Sequence, residues 1–92
     1  MKPFSADIKD ILLQRLREKG VDSLIIRRFI KDLIFAFSSN PEMSPFELEN
    51  YLRQIGWEDI ILDYQTYQLA IACHENGNLE KMMNSLEIEP QN

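Results

Sequence analysis

The chain has few of the residue types from which active sites and metal centres are built. It contains one cysteine, Cys73, and one histidine, His74, so it lacks the roughly four Cys and His ligands of a structural zinc site. Because these two residues are adjacent, their side chains diverge by about 100° on a helix and do not form a nucleophile and base pair. The three glycines form no phosphate-binding loop. We therefore predict a non-enzymatic protein with no catalytic residue, no metal and no cofactor.

Long apolar runs are also missing. The most apolar segment, residues 34–37, is one helical turn, whereas roughly 18 residues are needed to cross a bilayer. The first residues carry Asp7 where a signal peptide has its apolar region. A lone cysteine cannot form an internal disulfide. We expect a cytoplasmic protein that does not bind membranes.

Positive charge is scarce in the second part of the chain. Residues 1–40 contain eight Lys and Arg against five Asp and Glu, a net charge of +3, whereas residues 41–92 contain two against ten, a net charge of −8. The two parts therefore either complement each other within one molecule or leave a basic contact surface on the first part. Pairing of the opposite charges between copies is a third outcome, so we predict a monomer or a homodimer.

An approximate internal repeat is the most informative feature that is present. When residues 12–40 are aligned with residues 48–76, an offset of 36, eight of 29 positions are identical. About two identities are expected by chance for such a composition. The matched positions include Gly20 and Gly56, and each glycine ends a helical pattern. The repeat therefore predicts two αα-hairpins that pack together.

The first predicted hairpin covers about residues 7–38. Apolar residues at helical spacing predict helix 1 over about 7–19, and Gly20 ends it. Asp22 is the predicted N-cap of helix 2, which ends at residue 37 or 38. A wide apolar arc makes helix 2 a core helix.

The second predicted hairpin covers about residues 44–75. Ser44 and Glu47 have the spacing of a capping box at the start of helix 3, and Gly56 lies just after its end. Helix 4 is predicted over about 59–75. Because helix 4 is apolar on two faces, we expect it at the centre of the bundle.

A short C-terminal helix over about residues 79–88 and a loose tail at 89–92 complete the prediction. Alternating strand patterns are absent from the sequence. The predicted fold is therefore all-α: one domain over residues 1–92, folded as a compact five-helix bundle of two αα-hairpins and a C-terminal helix.

One face of helix 2 is the first candidate site for a partner. The face points away from the predicted core and places two apolar side chains among three cations, a combination typical of binding hot spots. The alternative is that helix 5 or the acidic hairpin covers it. The candidate residues are Leu24, Arg27, Arg28, Lys31 and Phe35.

The equivalent face of helix 4, at the offset of 36, is the second candidate. Tyrosine is frequent at interfaces because its ring buries well while its hydroxyl tolerates water. The alternative is that these side chains belong to the core. The candidate residues are Ile60, Tyr64, Tyr67 and Ile71.

These features predict a protein–protein interaction or regulatory module that binds an acidic protein partner. A helix-turn-helix DNA-binding regulator is the alternative, since Gly20 lies in a turn and the next helix carries Arg27, Arg28 and Lys31. The net charge of −5 argues against the alternative, because affinity for DNA depends on neutralising its phosphates. We therefore do not expect nucleic acid as the partner.

Overall fold

The computed structural model describes residues 8–59 and 61–87, the last three by their backbone alone. All regular elements in these ranges are α-helices, which confirms the predicted all-α class: α1 (Ile8–Glu18), α2 (Ser23–Ser39), α3 (Pro45–Gln54), α4 (Tyr64–Glu75) and α5 (Asn78–Glu87). The Cα radius of gyration is 12.9 Å, as in a compact domain of this length. Asp7 and the tail predicted at 89–92 lie outside the described residues.

The turns that end α1 and α3 have the same hydrogen-bond pattern. Val21 N–H donates to the Leu16 carbonyl at 3.2 Å, and Trp57 N–H donates to the Leu52 carbonyl at 3.0 Å. The glycine before each donor has a positive φ, +88° at Gly20 and +106° at Gly56. Both turns are therefore Schellman motifs, as the two glycines predict.

The predicted starts of two helices are confirmed. Asp22 accepts a hydrogen bond from Ile25 N–H at 3.0 Å and caps α2. Ser44 and Glu47 form the reciprocal capping box of α3, with distances of 3.2 Å and 2.9 Å. Each cap satisfies backbone N–H groups that have no partner within the helix.

The predicted start of helix 4 at residue 59 is wrong. The helix begins at Tyr64, and Asp63 is its N-cap, accepting a hydrogen bond from Thr66 N–H at 2.8 Å. The preceding residues form a turn that buries the side chains of Ile61 and Leu62. These two apolar residues, interpreted as part of a helical stripe, reach the core from that turn instead.

Helix α4 lies at the centre of the bundle, because it packs against each of the other four helices. Helix α5 packs against α2, α4 and α1, and α1 packs mainly against α4 rather than against α2, the helix that follows it in the chain. Apolar side chains from all five helices and from the turn before α4 form one core, and its fully buried members include Leu12, Leu16, Ile26, Phe29, Ile30, Leu33, Leu48, Leu52, Cys73 and Met82.

Candidate partner-binding surface

The five residues predicted on helix 2 lie together on the solvent side of α2. We call this set the α2 face: Leu24, Arg27, Arg28, Lys31 and Phe35. Leu24 is 72% exposed and Phe35 is 64% exposed, and the three cations are exposed as well. The other side of α2 is buried in the core. One helix therefore supplies both a core stripe and an exposed mixed surface.

Helix α5 forms a wall beside the α2 face and does not cover it. A cleft of about 340 Å³ lies between the two helices, lined by four residues of the α2 face and by Met83 of α5. Phe35 is not part of the cleft lining and lies about one helical turn beyond Lys31. The structure thus adds Met83 to the predicted set.

Trp57 holds one side of the α2 face in place. Its indole N–H donates to the Asp32 carboxylate at 2.8 Å, and its ring packs edge-on against Phe29 with centroids 5.1 Å apart. The Arg28 guanidinium carbon lies 5.9 Å from the centre of the same ring, within the range of a cation–π interaction. The sequence did not indicate this role, because the contacts join the turn after α3 to α2, which is more than twenty residues away in the chain.

The basic charges of residues 1–40 divide into two groups. Arg15 of α1 and Lys19, just after α1, both contact the Asp63 carboxylate, at 2.8 Å and 2.7 Å, so part of the basic charge pairs with the acidic part of the same molecule. Within residues 8–59 and 61–87, Arg28 and Lys31 make no ion pair. In the described part of the chain, no carboxylate therefore neutralises these two cations of the α2 face.

Asp63 is the most strongly perturbed carboxylate among the described residues. Partial burial disfavours its charged form, but hydrogen bonds from Arg15, Lys19 and Thr66 outweigh that cost and hold its pKa well below the usual range. Arg15 also donates to the Thr66 hydroxyl at 3.3 Å. The cluster joins the last turn of α1 to the first turn of α4 and has a structural role.

The four residues predicted on helix 4 do not form one surface. Tyr64 is 62% exposed at the start of α4, whereas Tyr67 is buried at 3% exposure and Ile71 is half-buried. Ile60 lies outside the described residues. Burial, with a smaller effect of Glu49, raises the pKa of Tyr67 to about 12. Tyr67 is thus a core residue, the alternative that the sequence left open.

The surroundings of Cys73 and His74 indicate a structural role for both residues. Burial raises the pKa of the Cys73 thiol to about 11, which is opposite to the shift that activates a nucleophile. The His74 ring stacks on Phe37 with centroids 4.1 Å apart, and its Nε2 lies 3.0 Å from the Pro41 carbonyl oxygen. In the described part of the chain, no three His, Cys, Asp or Glu residues are grouped to hold a metal ion.

A second surface depression lies between α1 and α4. It has a volume of about 540 Å³, and Ile11 and Leu69 contribute its apolar part beside the amides of Gln14, Gln65 and Gln68. No sequence pattern indicated this depression, because it forms only where α1 and α4, which are distant in the chain, meet. Its polar groups carry little net charge, so it selects no partner by charge.

None of the described helices is both long and apolar enough to cross a membrane. Comparisons with protein-family models, with curated proteins and with solved structures find no significant match. The function of the chain therefore has to be inferred from its own residues.

Proposed function

We propose that this protein is a non-enzymatic interaction or regulatory module whose α2 face binds an acidic protein partner that presents an apolar side chain. The observation that supports the proposal is the joint exposure of Leu24 and Phe35 on the side of α2 that carries Arg28 and Lys31. Burying one such apolar side chain contributes about 1.5–3 kcal/mol. A partner that covers both therefore gains substantial binding free energy from two residues.

The cations around this apolar centre favour a partner of opposite charge. Arg28 and Lys31 attract an acidic surface, which raises the association rate and disfavours basic competitors. The flexible side chain of Met83 lines the cleft, and methionine adapts to the shape of an incoming group. An acidic segment with a leucine or phenylalanine at its centre therefore matches the α2 face in charge and in polarity.

The cytoplasm is the proposed place of action. The single cysteine, Cys73, is buried and unpaired, and a free thiol of this kind is typical of proteins from a reducing compartment.

The DNA-binding alternative depends on the same helix. Arg27, Arg28 and Lys31 are exposed on α2 after the Gly20 turn, which is the observation in its favour. Leu24 and Phe35 occupy the two ends of that face and are apolar side chains that cannot neutralise phosphates, and the whole chain carries a net charge of −5. A titration of random duplex DNA at low and high salt separates the two functions, since only a DNA-binding regulator binds the duplex, and it does so more weakly at high salt.

The proposal is tested with a synthetic acidic amphipathic peptide that contains one phenylalanine and no tryptophan. Trp57 is the only tryptophan of the chain and contacts Arg28, so its emission reports binding at the α2 face. We expect the wild-type protein to bind, and the double variant Arg28→Glu, Lys31→Glu to bind at least about tenfold more weakly, a loss of about 1.4 kcal/mol.

Arg17→Glu with Lys81→Glu is the matched control, because it changes the net charge equally at two exposed residues outside the cleft lining. Circular dichroism checks that all variants keep their helices. The proposal is wrong if the peptide does not bind the wild-type protein, or if the Arg28 and Lys31 variant binds it as well as the control does.

A further inference from the structure

From charge complementarity within the chain we infer that the acidic partner of the α2 face is the start of α3 in a second copy of this protein. Two copies then form a two-fold symmetric dimer. This inference rests on the proposed function, because it names the partner of the same face.

Phe46 lies in the first turn of α3 and is 68% exposed. Glu42 and Glu47 are exposed on either side of it in the chain, and Asn50 lies one helical turn later, also exposed. We call this set the acidic α3 start. It is the electrostatic counterpart of the α2 face: one has an apolar side chain among carboxylates, the other has apolar side chains among cations.

The order of the elements places the acidic α3 start and the N-terminal part of the α2 face at opposite ends of α2. Helix α3 begins after a connection of residues 40–44 and packs against α2, so the acidic α3 start lies towards the C-terminal end of α2. Leu24 and Arg28 lie in the first two turns, about 16 Å and about 10 Å from Phe35 along the helix axis at 1.5 Å per residue. The exposed charges therefore change from basic on the N-terminal half of α2 to acidic in the connection after it and at the start of α3.

Such a charge gradient favours an antiparallel dimer. When two α2 helices run in opposite directions about a two-fold axis, the acidic α3 start of one copy lies beside Leu24 and Arg28 of the other. The same contact occurs twice. A parallel arrangement brings like charges together and is disfavoured. Phe46 of each copy then covers Leu24 of the other, so that both become buried.

A second copy accounts for both exposed sets at once, whereas an unrelated acidic partner covers only the α2 face. The two parts of the chain carry opposite net charges, +3 over residues 1–40 and −8 over residues 41–92. These charges also favour contact between two copies. Within one copy, the exposure of Leu24 and of Phe46 shows that neither set covers the other.

The first measurement is the molar mass of the full chain in solution, by light scattering and by sedimentation velocity. At about 50 mM salt, where charges are weakly screened, we expect the mass to rise with concentration towards twice the 10.9 kDa of one chain. At about 1 M salt the screening length falls to about 3 Å, and the equilibrium shifts to the monomer. A wild-type mass that stays at one chain at every concentration and at low salt overturns the inference.

A charge exchange between two variants tests the arrangement. One variant carries Arg28→Glu and Lys31→Glu, and the other carries Glu42→Lys and Asn50→Lys. Glu47 is left unchanged because it completes the cap of α3. When two copies of the same variant meet, like charges face each other at both contacts of the dimer. Each variant alone is therefore expected to be monomeric. An equimolar mixture has opposite charges at both contacts and is expected to recover the doubled mass.

The mixture tests whether the α2 face of one copy contacts the acidic α3 start of the other. Two variants that stay monomeric after mixing contradict that contact. The Arg17→Glu, Lys81→Glu control is expected to dimerise as the wild type does. Phe46→Ser separates this inference from the proposed function, because it is expected to abolish the dimer while leaving binding of the acidic peptide to the α2 face unchanged. If the wild type binds the peptide but never dimerises, only the inference of a second copy fails.

Discussion

The indole N–H of Trp57 donates a hydrogen bond to the Asp32 carboxylate at 2.8 Å. This contact joins the turn between α3 and α4 to the middle of α2, and it places the aromatic ring beside the Arg28 guanidinium. The turn after α3 therefore contacts α2 through Trp57 but does not cover the α2 face. The position of the cations depends on a residue that does not itself belong to the face.

Removing either member of this hydrogen bond should destabilise the protein. A hydrogen bond to a charged group contributes about 1.5–3 kcal/mol, and this one is partly exposed, so we expect losses of about 1–2 kcal/mol for Asp32→Ala and for Trp57→Phe. Because both variants break the same bond, the double variant should lose less than the sum of the two. Urea unfolding followed by circular dichroism measures all three, and strict additivity would contradict the coupling.

Asp63 has two roles that substitution can separate. Asn keeps an oxygen that caps α4 but loses the charge that pairs with Arg15 and Lys19, so Asp63→Asn should cost about 1 kcal/mol, given that these pairs are partly exposed. Asp63→Ala removes the cap as well and should cost about 1 kcal/mol more. Urea unfolding distinguishes the two steps. Equal losses for both variants would show that the cap contributes nothing.

The same carboxylate should make stability depend on pH in the acidic range. Its pKa is lower in the folded state than in the unfolded chain, so the unfolded state binds more protons as the pH falls. The stabilisation is fully present above the unfolded pKa of about 3.9 and is lost as the pH falls towards the folded pKa. We expect the free energy of unfolding to fall below about pH 5, and to fall less steeply in Asp63→Asn. Identical pH profiles for the two proteins would contradict this assignment.

The Tyr67 hydroxyl is buried and has no hydrogen-bond partner among the described residues. A buried polar group without a partner costs free energy, so we expect Tyr67→Phe to leave stability unchanged or to raise it by up to about 1 kcal/mol. Tyr64→Phe is the matched control at an exposed position and should have no effect. Thermal unfolding compares the two variants. A clear loss of stability in Tyr67→Phe would mean that a water molecule or another group satisfies the hydroxyl.

Local patterns predicted the ends of most helices because the contacts that form them are local. The caps at Asp22 and Ser44 and the glycine turns at Gly20 and Gly56 involve residues within five positions of each other. The internal repeat was misleading at one point. It aligned the start of helix 4 with that of helix 2, whereas the two aligned segments share the glycine turn and differ in the residues after it.

The start of α4 was predicted five residues too early. Residues 59–62 continue a helical apolar pattern, and the prediction missed the local cap that Asp63 forms with Thr66. The ion pairs of Asp63 with Arg15 and Lys19 could not be predicted, because these cations are more than forty positions away in the chain. A pattern within one segment contains no information about such partners.

Residue order alone was enough to establish the helical class, the capped ends and the side of α2 that enters the core, because these depend on spacing and hydrogen bonding within a few residues. Helix packing was needed to bury Tyr67 while leaving Tyr64 exposed, to bring Met83 into the cleft, and to place Trp57 against Asp32 and Arg28. It also left Leu24, Phe35 and Phe46 exposed. These outcomes depend on how the helices meet, which is a property of the whole chain and of no single helix.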